Sequence, residues 1–237
     1  MASPFTRTSD EFAAWVAGQV ATRDLVLVLC NQGLTAIEIS SVSAAGDSFT
    51  TSGNHGLVSG DEIVLSADGG AGVVPSPLYA NNSYFVAGSI NSTEFQVSDS
   101  PGGPIIDLTD SGSGTIYVKK LTWGRGATIS EVVATEVPNT NNYGRQAVDI
   151  GSSTPSGIYQ AYSVPSPTVI SASGGSIVFD SYAFLLNGST TYGATSGDVV
   201  FMMTVTDSAI TIDPAVPRAY PLDLRFGNGN YADGIAQ

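Results

Sequence analysis

The chain has 237 residues, and its 21 acidic and 8 basic side chains give a formal net charge of −13 at pH 7. This charge repels phosphate backbones and anionic membrane surfaces, so we expect neither nucleic acid nor a membrane as a partner. Charged residues make up 12% and hydrophobic residues 42% of the chain, which favours a folded core. The chain has a single Cys and a single His, which exclude a disulfide within the chain and a Cys/His zinc site.

The first predicted element is an amphipathic helix near the N-terminus. Thr8 and Glu11 have the spacing of a capping box, and Phe12 and Trp15 begin an apolar stripe at helical intervals. A helix of about three turns is not stable alone, so its stripe must pack on its own domain or on a neighbouring subunit.

From Leu25 onward the sequence predicts short strands. Apolar, β-branched and aromatic residues alternate with polar ones, and clusters of Gly, Asn, Asp, Pro and Ser separate the alternating segments. The predicted strands are 25–30, 37–42, 62–65, 84–87, 94–98, 115–121, 146–150, 176–186, 199–205, 209–212 and 222–226. Many short strands with almost no helix predict an all-β fold of sandwich or barrel type.

A change in composition divides the chain into three parts. Residues 38–119 form a compact series of turns and strands, predicted as an inserted small β-barrel, and residues 1–37 plus 120–237 form a discontinuous β-sandwich frame. Within the frame, residues 214–237 contain three spaced prolines and are predicted as an extended C-terminal tail. Such a tail either wraps onto a neighbour or is disordered.

Four motifs in the insert occur in a recognisable order. They are His55–Asp61 (HGLVSGD), Tyr84–Val86 (YFV), Thr93–Ser98 (TEFQVS) and Gly112–Thr115 (GSGT). The order resembles the SH3-like β-barrel of ubiquitin-activating enzymes, their first catalytic cysteine half-domain, versions of which recur in phage structural proteins. The resemblance implies the fold alone, because the catalytic cysteine of those enzymes has no counterpart here. The lone His55 is expected to be a turn or capping residue.

The frame resembles a class of tailed-phage virion proteins, described as tail-fibre-like or decoration proteins. An apolar strand at Leu25–Leu29 is followed by the segment Glu136–Val148, which contains Asn-Tyr-Gly-Arg-Gln-Ala-Val. The resemblance implies a jelly-roll-like β-sandwich, made in the host cytoplasm and located on the outer surface of the virion head. The implied partners are the major capsid protein and copies of the chain itself, with a trimer favoured.

No arrangement of residues predicts catalysis or a cofactor. Cys30 closes an apolar strand and is interpreted as a small buried hydrophobe. Carboxylate pairs such as Glu131 with Glu136 and Asp107 with Asp110 are the basis of a third hypothesis, a glycosidase-like enzyme. Asp107–Gly112 also offers clustered oxygens for calcium, but its spacing differs from an EF-hand loop. We therefore expect no enzyme, no catalytic residue and no metal site.

Arg145 is the polar residue with the clearest candidate role. It begins a predicted strand and can bridge carboxylates with two hydrogen bonds, so an internal pair, an intersubunit pair and an exposed position at a strand edge are all open. Aromatic residues near the two ends are the other interface candidates. The full set is Phe5, Phe12, Trp15, Arg145, Tyr220, Phe226 and Tyr231.

The leading hypothesis is a non-enzymatic phage structural protein that acts as a capsid decoration, or cement, protein. The alternative is a tail or fibre component that binds a host-surface glycan through aromatic residues in loops. Its candidate recognition residues are Trp123, Tyr159, Tyr162 and Tyr192, for which packing beside strands is the competing interpretation.

Overall fold

The computed structural model describes residues 25–67, 72–148, 153–156, 159–163, 168–204, 209–215, 218–220 and 223–227. The predicted N-terminal helix, with Phe5, Phe12 and Trp15, lies outside the described residues, as does Tyr231. The described chain forms strands and one short helix, which confirms the all-β prediction.

The strands follow one another closely along the chain. They are β1 Leu25–Cys30, β2 Ile37–Ser43, β3 Ser48–Thr51, β4 Glu62–Ala67, β5 Ser83–Ser89, β6 Glu94–Ser98, β7 Ile116–Lys120, β8 Gln146–Val148, β9 Ser153–Ser156, β10 Tyr159–Ser163, β11 Thr168–Ile170, β12 Ile177–Phe179, β13 Ser181–Leu186, β14 Asp198–Thr204, β15 Ile210–Ile212, β16 Arg218–Tyr220 and β17 Asp223–Gly227. The helix, α1, spans Ile129–Ala134 between β7 and β8.

The chain divides into two compact units. One contains the described residues among 25–30, 128–201 and 211–227, and the other consists of Asn31–Ala127 with Met202–Ile210. The predicted insert, 38–119, falls within the second unit.

The second unit contains a closed barrel with the strand order β2-β3-β6-β5-β4-β7. All neighbouring strands pair antiparallel, and Ile63 and Leu65 of β4 are fully buried in the barrel core. At the centre of this core the rings of Phe49 and Phe95 stack with their centroids 5.3 Å apart. The connections between strands complete the core with Leu57, Val74, Leu78 and Leu108.

The first unit is organised around β1, one of the two inner strands of a sheet with the order β14-β13-β1-β8. All of its residues are buried, which explains why its sequence is a continuous apolar run rather than an alternating one. β13 pairs along its whole length, from Leu25 opposite Leu186 to Cys30 opposite Ser181. Smaller sheets have the orders β17-β10-β9, β11-β16 and β12-β15.

Helix α1 was not predicted, although the sequence contains its signal. Thr128 and Glu131 form a capping box, in which the Thr128 amide donates to Glu131 Oε2 at 2.7 Å and Thr128 Oγ1 accepts from the Glu131 amide at 3.3 Å. The hydrogen bond from the Thr128 backbone lowers the pKa of Glu131. Glu131 therefore lies in the first turn of the helix, and its carboxylate is engaged at the N-cap.

Candidate functional site

Glu136 and Arg145 form a buried ion pair in the first unit. Glu136 follows α1 and Arg145 immediately precedes β8, and the two side chains meet with exposures of 1% and 0%. The guanidinium donates from Nη2 to Glu136 Oε2 at 2.7 Å and from Nε to Oε1 at 2.8 Å. These hydrogen bonds from Arg145 to Glu136 raise the pKa of Arg145, so its guanidinium is charged at neutral pH. Of the alternatives left open by the sequence, the structure contains the internal pair.

The same pair holds the backbone of the loop between β13 and β14. Arg145 Nη1 donates to the carbonyl oxygens of Ser189, at 3.1 Å, and Ala194, at 2.9 Å. The Gly193 amide in turn donates to Glu136 Oε2 at 3.1 Å. Burying two charges costs several kcal/mol per ion, and these additional hydrogen bonds help to offset that cost. The pair therefore fixes the position of a surface loop from beneath it.

Tyr143 connects this pair to strand β1. Its hydroxyl donates to Glu136 Oε1 at 3.1 Å and accepts from the Leu29 amide of β1 at 3.1 Å. Burial, and secondarily the negative charge of Glu136, raise the pKa of Tyr143 well above its ordinary value. The phenol stays neutral and can act as donor and acceptor at once. The Tyr143 ring also meets the ring of Tyr192 edge to face, at 6.4 Å between centroids.

Cys30 lies at the end of β1 in the same region and has no access to solvent. Its Sγ is 3.7 Å from the carbonyl oxygen of Val132 in α1. Burial raises the pKa of the thiol from 9.0 to about 12. The structure thus places the thiol as an interior group that stays protonated at neutral pH, the opposite of a nucleophilic cysteine.

We expect the folded protein to react with the thiol reagent DTNB at pH 8 at least roughly 100-fold more slowly than the urea-unfolded chain, because burial excludes the reagent and suppresses the thiolate. The thiol also makes stability depend on pH. The folded pKa lies above the unfolded one, so its stabilising contribution is complete below pH 9.0 and is lost as the pH rises to about 12.

Absorbance at 412 nm measures the reaction, and the single Cys makes the signal unambiguous. The control is Cys30→Ala, which should show no reaction and a flatter loss of stability above pH 9.0. Equal rates for folded and unfolded protein would contradict a buried thiol.

In the barrel unit, His55 holds two loops together. It is 6% exposed, and its Nδ1 accepts from the Leu57 amide at 2.8 Å while Nε2 lies 3.1 Å from the carbonyl oxygen of Asn91. Its ring packs edge to face on Phe95, with centroids 5.4 Å apart. His55 therefore acts as a turn-capping residue, as its isolation in the sequence predicted.

We expect His55→Ala to lower the free energy of unfolding of the barrel by about 1–3 kcal/mol, because it removes a buried acceptor and a ring contact. Asn54→Ala is the matched control, since Asn54 Oδ1 accepts from the Gly56 amide at an exposed position in the same turn. That control should lose at most about 1 kcal/mol. Urea unfolding followed by circular dichroism compares the variants, and a smaller loss for His55→Ala than for Asn54→Ala would contradict this role.

The turn carboxylates of the barrel also bind backbone amides. Asp61 Oδ2 accepts from the Val58 amide at 2.8 Å and lies 2.8 Å from Lys120 Nζ. Asp110 Oδ1 accepts from the amides of Ser76, at 3.1 Å, and Gly112, at 2.8 Å. Asp110, half of a carboxylate pair considered above, is thus engaged in its own turn.

Arg125 was not identified from the sequence, although it contacts β4, β5 and the residue that follows β6. Its backbone amide donates to both carboxylate oxygens of Glu62 in β4, at 2.9 and 2.8 Å. Its guanidinium donates to Ser83 Oγ and to the Asp99 carbonyl oxygen, each at 2.8 Å, and lies 5.6 Å from the centre of the Phe85 ring. A Cβ on the neighbouring Gly124 would meet the Glu62 carboxylate, so a larger residue there would displace that side chain.

The structure corrects the proposed set of recognition residues. Trp123 is only 4% exposed, so its ring is packed in the interior and has no free face for a sugar. Tyr159 and Tyr162 were expected in loops, but they lie in β10, which pairs with β9 on one side and β17 on the other. Of the two residues whose exposure the structure describes, Tyr192 is the exposed one, at 40%.

Two of the interface candidates are placed on strands, Tyr220 in β16 and Phe226 in β17. These strands belong to different sheets. Arg145 is buried within its own unit, so its side chain reaches no outer surface there.

Within the described ranges, no group of three or more His, Cys, Asp or Glu side chains is placed to hold a metal ion. In the same part of the chain, no helix has the length and apolar character needed to cross a membrane. Comparisons of the chain with protein-family models, with curated proteins and with solved structures found no match.

Proposed function

We propose that the protein is a non-enzymatic structural protein of a tailed-phage particle, a decoration protein that cements the outer surface of the head. The observation that carries the proposal is that four of its polar side chains hydrogen-bond to the protein's own backbone. Glu136, Arg145, His55 and Asp61 all bind backbone groups of their own unit. Because these four side chains bind the backbone, they hold their loops in place and are not available for catalysis.

Rigid β units suit a cementing role. A cement protein works by burying apolar and hydrogen-bonding surface across subunits that internal pressure would separate, and a standard interface of ~1,600 Å² repeated by symmetry is sufficient. Units that are ordered before they bind lose little conformational entropy on assembly. We propose that the first unit is a jelly-roll-like β-sandwich and that the barrel is the SH3-like insert, as the motif resemblances imply.

The barrel unit also exposes apolar side chains that can contribute contact area. Val58 is 58% exposed, Val73 60%, Ile90 52% and Ile105 46%. Val58 and Ile90 lie on adjacent segments, because the Gly60 amide donates to the Val86 carbonyl and the His55 amide to the Ser92 carbonyl. The proposed contacts are with the major capsid protein and with copies of the chain itself, as a trimer, and require no cofactor.

A tail or fibre component that binds a host-surface glycan is the second candidate function. One observation favours it: Tyr192 is exposed on a loop that the buried ion pair holds in place. An aromatic side chain at such a position can stack on a sugar ring.

The number of copies in the particle distinguishes these functions. We expect quantitative mass spectrometry of purified particles to find on the order of hundreds of copies, because a head protein is repeated by the symmetry of the shell. A count of about three to a dozen would instead support the tail or fibre function. Absence from purified particles would contradict both.

A further inference from the structure

The connection between β13 and β14, residues 187–197, is a compact loop with a closed base. A Cβ added to Gly197 would lie 2.7 Å from the Cα of Gly188, so the two ends of the loop touch. Gly197 has φ +103, which strongly favours glycine. A surface loop whose ends are this close has the form of an Ω-loop, a class that frequently carries function.

Hydrogen bonds from the buried ion pair, and others inside the loop, hold the loop in place. Arg145 and Glu136 bind the backbone at Ser189, Gly193 and Ala194 through the three hydrogen bonds described above. Inside the loop, the Thr191 amide donates to Ser189 Oγ at 3.1 Å and the Ala194 amide donates to the Thr191 carbonyl at 3.2 Å. A loop fixed by a buried ion pair gives up little conformational freedom when it binds a ligand.

The outward surface of the loop is aromatic and uncharged. Tyr192 is 40% exposed while the edge-to-face contact with Tyr143 supports its ring. Exposed hydroxyl side chains surround it in the sequence, and residues 187–197 contain no charged side chain. The exposed hydroxyl residues are Thr190, Thr191, Thr195 and Ser196.

This combination has the chemistry of sugar recognition. The apolar face of a pyranose ring stacks on an aromatic ring, while hydroxyl groups and backbone amides can donate and accept hydrogen bonds around it. The net charge of −13 disfavours acidic polysaccharides. We propose that the 187–197 loop binds a neutral saccharide and that Tyr192 is its stacking residue. This proposal deepens the second candidate function, glycan binding, and rests on it, whereas the cementing function does not depend on it.

A glycan-array binding experiment with the full chain tests this proposal. The array carries neutral oligosaccharides built from glucose, galactose, mannose and N-acetylglucosamine, together with sialylated glycans. We expect at least one neutral glycan to bind and the sialylated glycans to bind no better than background. Titration calorimetry then compares variants for that neutral glycan. Tyr192→Ala should weaken binding about tenfold or more, and Tyr192→Phe, which keeps the ring, by about twofold at most.

Tyr79→Ala is the matched control, because Tyr79 is 38% exposed but lies in the barrel unit. It should bind as the unchanged protein does. Circular dichroism of each variant separates a loss of folding from a loss of binding. Absence of binding to every neutral glycan at millimolar concentration, or equal affinity of the Tyr192→Ala and unchanged proteins, would overturn the proposal.

Discussion

Replacing Arg145 with Met is expected to lower the free energy of unfolding by about 3–5 kcal/mol. The substitution leaves the Glu136 carboxylate, 1% exposed, without its cation and removes the donors that bind the carbonyls of Ser189 and Ala194. Removing one member of a buried pair is more damaging than removing both, since an uncompensated charge remains in the interior. Urea denaturation followed by circular dichroism measures the loss. Hydrogen exchange should show the largest loss of protection in β1, β8 and the 187–197 loop.

An exposed ion pair provides the control for that experiment. Lys120 and Asp61 approach within 2.8 Å, but the Lys120 side chain is 50% exposed. Lys120→Met should therefore change stability by about 1 kcal/mol or less. The double replacement of Glu136 and Arg145 by Met should be less destabilised than the sum of the two single replacements. A loss for Arg145→Met no larger than that for Lys120→Met would contradict the structural importance of the buried pair.

Phe95→Ala is expected to destabilise the barrel by about 3–5 kcal/mol, the usual range for a buried Phe. Phe95 is fully buried, and its ring stacks on Phe49 and packs edge to face with His55, so truncation leaves a cavity between these two rings. Hydrogen exchange detected by mass spectrometry should show lost protection in β2 to β7. Ile90→Ala in the same barrel is the control, because the Ile90 side chain is 52% exposed. Its free energy of unfolding should fall by at most about 0.5 kcal/mol. Similar losses in the two variants would contradict the assignment of the core.

Strand prediction succeeded where the pattern of apolar residues was local and continuous. The segment Leu25–Cys30 was predicted with the bounds that β1 has, because its apolar run is interrupted at both ends. By contrast, 176–186 was predicted as one strand, whereas the structure divides it at Asp180 into β12 and β13. The Asp180 amide donates to the Cys30 carbonyl at 3.1 Å. That break depends on a distant strand and has no signal in the local alternation.

The candidate site depends even more on contacts between residues that are distant in the sequence, which local patterns do not predict. Arg145 was identified as a residue able to bridge carboxylates, but its partner Glu136 and its contacts at Ser189 and Ala194 were not. Those contacts form only when the loop between β13 and β14 folds over the pair, so they belong to tertiary structure. The exposure of an aromatic residue in a loop also depends on tertiary packing. Trp123 and Tyr192 were both expected in loops, yet Trp123 is 4% and Tyr192 40% exposed.

We propose that the protein holds subunits together, and the stability of whole particles tests this most directly. Phage particles with and without the protein can be compared by the temperature at which the head releases its DNA, followed with a fluorescent DNA dye. We expect particles lacking the protein to release DNA at a lower temperature, and added purified protein to restore the original value. Equal release temperatures, with the added protein failing to bind the head, would contradict a cementing role.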